Sequence, residues 1–173
     1  MKIKILGLVW LIGVCLIPLR AQAPILTKIY QSVETTTQAI SMTTIQAANG
    51  TRTYMAWLGN GNTLVSIMVS SDGGHSFTGK YVTPTDGYTA PAIASFGGNL
   101  YLAWKGLDAD GKLNVEQVNL NAAGVPVGVS NKFTSNESTL TTPLAMTAIP
   151  SGLLVSWAGK GIGIICVAQV TFR

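Results

Sequence analysis

A short tryptophan-containing segment occurs three times in this sequence, and it constrains the fold more than any other feature. The copies read Ala56-Trp57-Leu58-Gly59, Ala103-Trp104-Lys105-Gly106 and Ser156-Trp157-Ala158-Gly159. The three tryptophans are 47 and 53 residues apart, and each ends a strand-like run that has a further apolar run on either side. Units of this kind, repeated about every 50 residues, are typical of all-β repeat folds in which each copy forms one antiparallel sheet.

Turn-forming pairs separate the runs. Asn49-Gly50, Gly97-Gly98-Asn99 and Ser151-Gly152 follow the first strand of each unit, whereas Asn60-Gly61-Asn62, Asp110-Gly111 and Gly161-Ile162-Gly163 follow the second. Such pairs accept the positive φ that tight hairpins need. We therefore predict an all-β, partial β-propeller of three antiparallel blades with three to four strands each, at about residues 35–82, 89–130 and 139–172. Trp57, Trp104 and Trp157 are interpreted as packing between blades, with a sugar-stacking role as the alternative.

The first 23 residues have the pattern of a signal peptide. Lys2 and Lys4 precede an uncharged run at residues 5–19, and Ala21 and Ala23 supply the small residues of a cleavage site. The apolar run is shorter than the roughly 20 residues that a membrane-spanning helix needs. We therefore predict a bacterial protein that is secreted or held in the periplasm or cell envelope, with no membrane span after cleavage and a domain at residues 24–173.

Charge and cysteine content limit the chemistry of this domain. After residues 1–23, eight basic and seven acidic residues remain and form no basic stripe, so we expect no nucleic-acid partner. Cys166 is then the only cysteine and His75 the only histidine, so neither a disulfide nor a metal site is predicted. The segment from Asp108 to Gly111 begins like a calcium loop but lacks the later acidic ligands, and it is interpreted as a hairpin turn. We expect no cofactor.

The segment after the third strand of the first unit resembles a known motif. Residues 70–77 match the Asp-box, Ser/Thr-x-Asp-x-Gly-x-Ser/Thr-Trp/Phe, through Ser70, Asp72, Gly74, Ser76 and Phe77. Together with the three tryptophan segments, this match makes residues 35–172 similar to the sialidase-like (BNR or Asp-box repeat) propeller family. The resemblance implies that the box joins the third and fourth strands of a blade, with a structural role away from the active site.

The resemblance does not extend to catalysis. Sialidases hold the substrate carboxylate with three arginines and use a Tyr/Glu pair with a separate Asp, whereas Arg52 and Arg173 are the only arginines after residue 23. No motif ties Glu34, Glu116 or Glu137 to a tyrosine, so no catalytic residue is assigned. The leading hypothesis is a secreted, non-catalytic module that binds a carbohydrate or a cell-surface protein. The alternatives are a glycoside hydrolase or a fragment of one, and a structural repeat protein of the envelope or matrix.

One end of the predicted blades carries the candidate ligand residues. Loops that precede the first strand of a blade share this end with loops that join its second and third strands. The residues predicted to face a ligand there are Asn60, Asn62, Asp86, Tyr88, Lys105 and Asp108.

An assembly is predicted as well. Three blades would leave apolar faces open at both ends, and propellers close with about four to eight blades. Residues 25–33 have strand character but belong to no blade. We predict that they complete the last blade of a second copy, giving a six-bladed, two-fold homodimer. The alternative is a fragment of a gene that never closes and is poorly soluble.

Overall fold

Eleven β-strands form three antiparallel sheets in the computed structural model, which describes residues 25–139, 143–160 and 163–172. Sheet 1 contains β1 (Ser41–Ala47), β2 (Gly50–Leu58), β3 (Leu64–Ser70) and β4 (Thr78–Asp86). Sheet 2 contains β5 (Ala92–Phe96), β6 (Asn99–Lys105), β7 (Lys112–Leu120) and β8 (Pro126–Ser138). Sheet 3 contains β9 (Ala145–Ile149), β10 (Gly152–Ala158) and β11 (Ile165–Val170). The described residues contain no helix, and the prediction of an all-β fold with three antiparallel sheets is confirmed. The predicted signal peptide lies outside the described residues.

Each sheet is a simple meander in which every strand pairs with the next one along the chain. The first strands of successive sheets, β1, β5 and β9, lie beside one another, and the outer strands β4 and β8 are also in contact. The sheets therefore stack in sequence order, but they do not close into a ring.

The repeated Trp-x-Gly segments have the same local structure in all three sheets. The glycine N–H closes the following hairpin by donating to a backbone carbonyl: Gly59 to Leu64 at 3.2 Å, Gly106 to Lys112 at 2.9 Å and Gly159 to Ile164 at 2.8 Å. A Cβ atom on Gly106 would come within 2.6 Å of the Asp108 carboxylate, so a larger residue there would require the Asp108 side chain to move.

The tryptophans face the sheet that precedes their own. Trp104 is fully buried and packs with Tyr54 and Leu58 of sheet 1, and Trp157 packs with Ala103 of sheet 2. Trp57 lies on the opposite side of sheet 1, which we call the open face of this sheet. The interfaces between sheets thus form the core, because strand alternation sends every second side chain to each neighbour.

The outer strands of the first two units end later than predicted. Strand β4 continues to Asp86 and β8 to Ser138, although these units were expected to end near residues 82 and 130. Residues 25–33, predicted as a strand, form none in the single chain. They lie over the open face of sheet 1, where the Tyr30 ring is 5.0 Å from that of Phe77. Here the segment is held by side-chain contacts and not by strand pairing.

Candidate functional site

A polar cleft of about 360 Å³ opens between sheets 1 and 2, beside the β6–β7 hairpin. Its lining side chains come from both sheets and include Asp86, Trp104, Asp108, Asn114, Lys132 and Thr134. The cleft therefore combines two carboxylates, an amide, a hydroxyl and an ammonium group at one interface.

The two aspartates are held by the loops that carry them. Asp86 ends β4, and its Oδ1 accepts a hydrogen bond from the Thr63 hydroxyl at 2.7 Å. Oδ1 of Asp108 accepts from the backbone N–H of Lys112 at 3.1 Å. That hydrogen bond is the main reason why the pKa of Asp108 lies below its ordinary value. Asp108 is therefore an ionised acceptor at neutral pH.

The wall formed by sheet 2 is fixed by a chain of hydrogen bonds. The Thr134 hydroxyl donates to Oδ1 of Asn114 at 2.7 Å, and Nδ2 of Asn114 donates to the Lys112 carbonyl at 3.0 Å. Lys132 places its ammonium group 5.3 Å from the centre of the Trp104 ring, a favourable cation–π position. Trp104 Nε1 donates to the backbone carbonyl of Asp86 at 3.1 Å, which joins the two sheets at the cleft.

A buried carboxyl group lies two residues after Asn114 in strand β7, at the next position that faces sheet 1. Glu116 is only 2% exposed, and the Thr85 hydroxyl lies 3.2 and 3.3 Å from its two oxygens. Burial raises the pKa of Glu116, and the Thr85 hydrogen bond and the charge of Lys132 act in the opposite direction. A buried carboxyl group with a raised pKa is a candidate for a functional role as well as for a structural one.

Of the predicted ligand residues, the structure brings Asp86 and Asp108 together in the cleft. Tyr88 and Lys105 lie outside its lining and contact each other. The Lys105 ammonium is 4.4 Å from the centre of the Tyr88 ring, and the Tyr88 N–H donates to the Lys105 carbonyl at 2.9 Å.

The two predicted asparagines do not line the cleft, because they serve the β2–β3 hairpin and its neighbour. Asn62 accepts a hydrogen bond from the Leu64 N–H at 3.0 Å, and the Asn60 N–H donates to the carbonyl of Thr35 at 3.1 Å.

Sequence reasoning missed Asn114, Lys132 and Thr134, and it gave Glu116 no role. A usable signal existed for two of them: Asn114 and Glu116 are separated by the apolar Val115 in strand β7, and Leu113 precedes them. Polar residues at inward positions of a strand need partners inside the protein.

The turn that resembles an Asp-box lies between β3 and β4, at the other end of the sheet from the β2–β3 hairpin. The Asp72 carboxylate accepts from the Ser70 hydroxyl at 2.7 Å and from Ser76, through the hydroxyl at 2.6 Å and the N–H at 2.9 Å. These bonds, above all that from the Ser76 hydroxyl, hold the pKa of Asp72 far below its ordinary value. Gly74 has a φ of +93°, and Phe77 is buried beneath Tyr30. The turn thus stabilises sheet 1 and lies away from the cleft.

The described residues contain no group of three or more His, Cys, Asp or Glu side chains that is able to hold a metal ion. In the same part of the chain, no helix is long and apolar enough to cross a membrane.

Comparison with models of known protein families found no match to this sequence, and a search of curated proteins found none.

Proposed function

We propose that this chain is a secreted, non-catalytic binding module of sialidase-like propeller type, and that its cleft binds a carbohydrate. The N-terminal sequence pattern supports export, and the stacked repeats with adjacent first strands support the propeller arrangement. The observation that carries the binding proposal is the cleft between sheets 1 and 2, with its fixed polar lining.

The groups in the cleft suit the hydroxyl groups of a sugar. Asp86 and Asp108 accept hydrogen bonds, and so does the Thr134 oxygen, whose hydrogen is donated to Asn114. Lys132 donates, and Asn114 has one further N–H and one further lone pair. Because Asp108 and Asn114 are already oriented by backbone groups, little side-chain entropy is lost when a ligand binds. The volume of about 360 Å³ lies at the lower end of the range for small-molecule sites and suits one or two sugar units.

A glycoside hydrolase is the second candidate, and the presence of two carboxylates in one cleft favours it. Hydrolysis also needs a carboxylic acid that remains protonated near neutral pH. The pKa of Asp108 is lowered, and Glu116, whose pKa is raised, is buried and does not line the cleft. Binding without catalysis is therefore the better-supported proposal.

A glycan array followed by calorimetry tests this proposal. Asp108→Asn keeps an oxygen for the Lys112 N–H but removes the charge, and Lys132→Ala removes the ammonium group. Each should weaken binding of the selected glycan about tenfold, or about 1.4 kcal/mol. Asn60→Ala, outside the cleft, is the matched control and should leave binding unchanged.

Other outcomes separate the alternatives. Hydrolysis of a fluorogenic glycoside that is lost in Asp86→Asn would make the protein a hydrolase. Silence in both assays would refute carbohydrate binding and favour a purely structural role.

A further inference from the structure

A second repeat becomes visible once the outer strands are known. The ends of β4 and β8 share a pattern with the N-terminal region: an aromatic residue, then a hydroxyl residue two positions later. The three segments read Tyr30-Gln31-Ser32-Val33-Glu34-Thr35, Tyr81-Val82-Thr83-Pro84-Thr85-Asp86 and Phe133-Thr134-Ser135-Asn136-Glu137-Ser138. Their aromatic residues are 51 and 52 residues apart, close to the spacing of the tryptophans.

The three segments also share a backbone feature. In each one the hydroxyl oxygen accepts from the N–H two residues later. The bonds run from Glu34 to Ser32 at 2.9 Å, from Thr85 to Thr83 at 3.4 Å and from Glu137 to Ser135 at 3.1 Å. We call residues 30–35 the N-terminal outer segment, since its counterparts end outer strands.

The contact between this segment and sheet 1 repeats one between sheets 2 and 3. The N–H of Asn60, three residues after Trp57, donates to the Thr35 carbonyl at 3.1 Å. The N–H of Lys160, three residues after Trp157, donates to the Ser138 carbonyl at 3.3 Å. Thr35 therefore has the place before sheet 1 that Ser138, the last residue of β8, has before sheet 3.

Side-chain directions agree with this placement. Tyr81 of sheet 1 packs against the core shared with sheet 2, the sheet that follows. Tyr30 packs in the same sense against the open face of sheet 1, with Trp57 and Phe77. The N-terminal outer segment is thus positioned as the outer strand of a preceding sheet, and the described residues supply no other strand of that sheet.

Sheet 3 has the complementary deficiency. Its order is β11-β10-β9, so among the described strands none pairs with the outer edge of β11. Ile165 and Val167 of β11 are 87% and 60% exposed. Beside β11 runs a largely apolar groove of about 710 Å³, lined among others by Phe133 and Phe172, where a fourth strand would pack on β8.

Among the described residues, sheet 3 therefore lacks an outer strand, and the N-terminal outer segment lacks the three inner strands of a sheet. Stacking sheet 3 of one copy onto the open face of sheet 1 of another would continue the two interfaces already present between successive sheets. Charge agrees: the exposed Glu137 lines the groove and no Lys or Arg does, while residues 25–33 carry Lys28 and no acidic residue. A second copy of this chain is the occupant that supplies both missing parts.

We propose that two copies join in this way, with the N-terminal outer segment of each copy pairing with β11 of the other. Tyr81 lies opposite Ile67, and Phe133 lies opposite Val115. The equivalent position in β11 is Val167, because Ile67, Val115 and Val167 all pair with the residue before the repeated tryptophan. Tyr30 then lies opposite Val167, and Gln31 lies opposite Cys166.

The assembly has six sheets in a two-fold ring, and the N-terminal outer segment keeps the position that it has in the single chain. The proposal does not depend on carbohydrate binding, because it rests on the repeats and the free edge alone.

Cysteine cross-linking tests the register directly. In the full-length chain with Cys15→Ser, Gln31→Cys places a thiol opposite Cys166, at a Cα separation that suits a disulfide. With oxidised glutathione as oxidant, this variant should form a disulfide-linked dimer at least about tenfold faster than Leu26→Cys. Leu26 is fully exposed and outside the proposed pairing, and adding Cys166→Ser should abolish the dimer in the Gln31→Cys variant. Equal rates for the two variants, or a disulfide within one chain, would overturn the register.

Light scattering tests the assembly without any new thiol. The unmodified protein should have twice the mass of one chain, and Val167→Lys should reduce it to one. Val167 is 60% exposed in the single chain, so the substitution leaves the monomer folded. Val127→Lys, at a site 54% exposed and outside the groove lining, is the control and should remain dimeric. A monomeric unmodified protein, or a Val167→Lys variant that stays dimeric, would refute the proposal.

Discussion

Replacing Trp104 by phenylalanine isolates the hydrogen bond that joins sheets 1 and 2. Trp104 is fully buried, and its Nε1 donates to the Asp86 carbonyl at 3.1 Å. Trp157 has the same repeat position and is 6% exposed, but its buried Nε1 has no hydrogen-bond partner among the described residues. The same substitution at the two sites therefore removes similar packing but different polar interactions.

The expected difference follows from this contrast. Trp104→Phe loses a net stabilising hydrogen bond and leaves the Asp86 carbonyl without this donor, whereas Trp157→Phe removes an N–H group that is buried at a cost. The loss of packing is common to both variants. Trp104→Phe should therefore lower the free energy of unfolding by about 1–3 kcal/mol more than Trp157→Phe.

Urea unfolding followed by far-UV circular dichroism measures the two losses, at one protein concentration because assembly would shift the midpoints. Equal losses at both sites would refute the reasoning, since the Trp104 hydrogen bond would then contribute nothing. A change in the slope of unfolding with urea would instead indicate an altered native or denatured state.

Three further predictions use pH or backbone geometry. Because the pKa of Asp72 is lowered, its hydrogen bonds stabilise the protein above the ordinary carboxyl pKa of about 4. Asp72→Ala should therefore lower the free energy of unfolding in urea at pH 7, and its difference from the wild type should shrink as the pH falls through and below that value. The raised pKa of Glu116 predicts the opposite trend: the wild type should lose stability as the pH rises from the pKa of Glu116 in the unfolded chain through its higher pKa in the folded protein. Glu116→Gln should show no such loss in the same titration. Gly152→Ala should lower the free energy of unfolding, measured with heat or urea, by at least about 2 kcal/mol, because φ is +148° and the added Cβ would collide with the Val170 carbonyl. Gly98 has a φ of +77° but open space around it, so Gly98→Ala should lower the same free energy by about 1 kcal/mol. Equal costs for the two alanines would contradict the collision.

The three sheets could be predicted because their inner strands repeat one local pattern. Each tryptophan is the last but one residue of a β-strand, and each Trp-x-Gly glycine begins the following hairpin turn, so strand count and order follow from short-range signals. The outer strand β8 was cut short at residue 130 for a physical reason. Most of its residues are exposed, so residues 131–138 lack the apolar alternation that identifies a strand.

The cleft was harder to predict because it forms between sheets. Lys132 and Thr134 lie on the part of β8 that was missed, and Glu116 meets Thr85 across the interface at a separation of 31 residues. Strand periodicity indicates which residues face inward, but not which residue of the neighbouring sheet each one meets. Asp86 and Asp108 were found because both lie at one end of the fold, Asp86 at the end of β4 and Asp108 in the β6–β7 loop.

Differences between the repeats explain why the proposed ligand site lies between sheets 1 and 2. The cross-strand partner of the tryptophan is Asn114 in sheet 2, but Ser66 in sheet 1 and Cys166 in sheet 3. The position of Asp86, at the end of an outer strand, is taken by Ser138 and by Thr35 in the other copies of the pattern.

The presence of a lysine beside the tryptophan also differs between the repeats, and it distinguishes the proposed ligand site from the proposed contact between copies. Lys80 lies over Trp57 and Lys132 over Trp104, at 5.7 and 5.3 Å, and each lysine immediately precedes the aromatic residue of an outer-strand segment. The residue at this position before Tyr30 is the apolar Ile29, which lies near Gly74 of its own chain, so this copy of the pattern has no cation. The cleft beside Trp104 joins its cation to Asp86, Asp108 and Asn114. The tryptophan is thus common to the repeats while its surroundings differ: an apolar residue where the copies are proposed to join, and a polar cleft suited to a ligand beside Trp104.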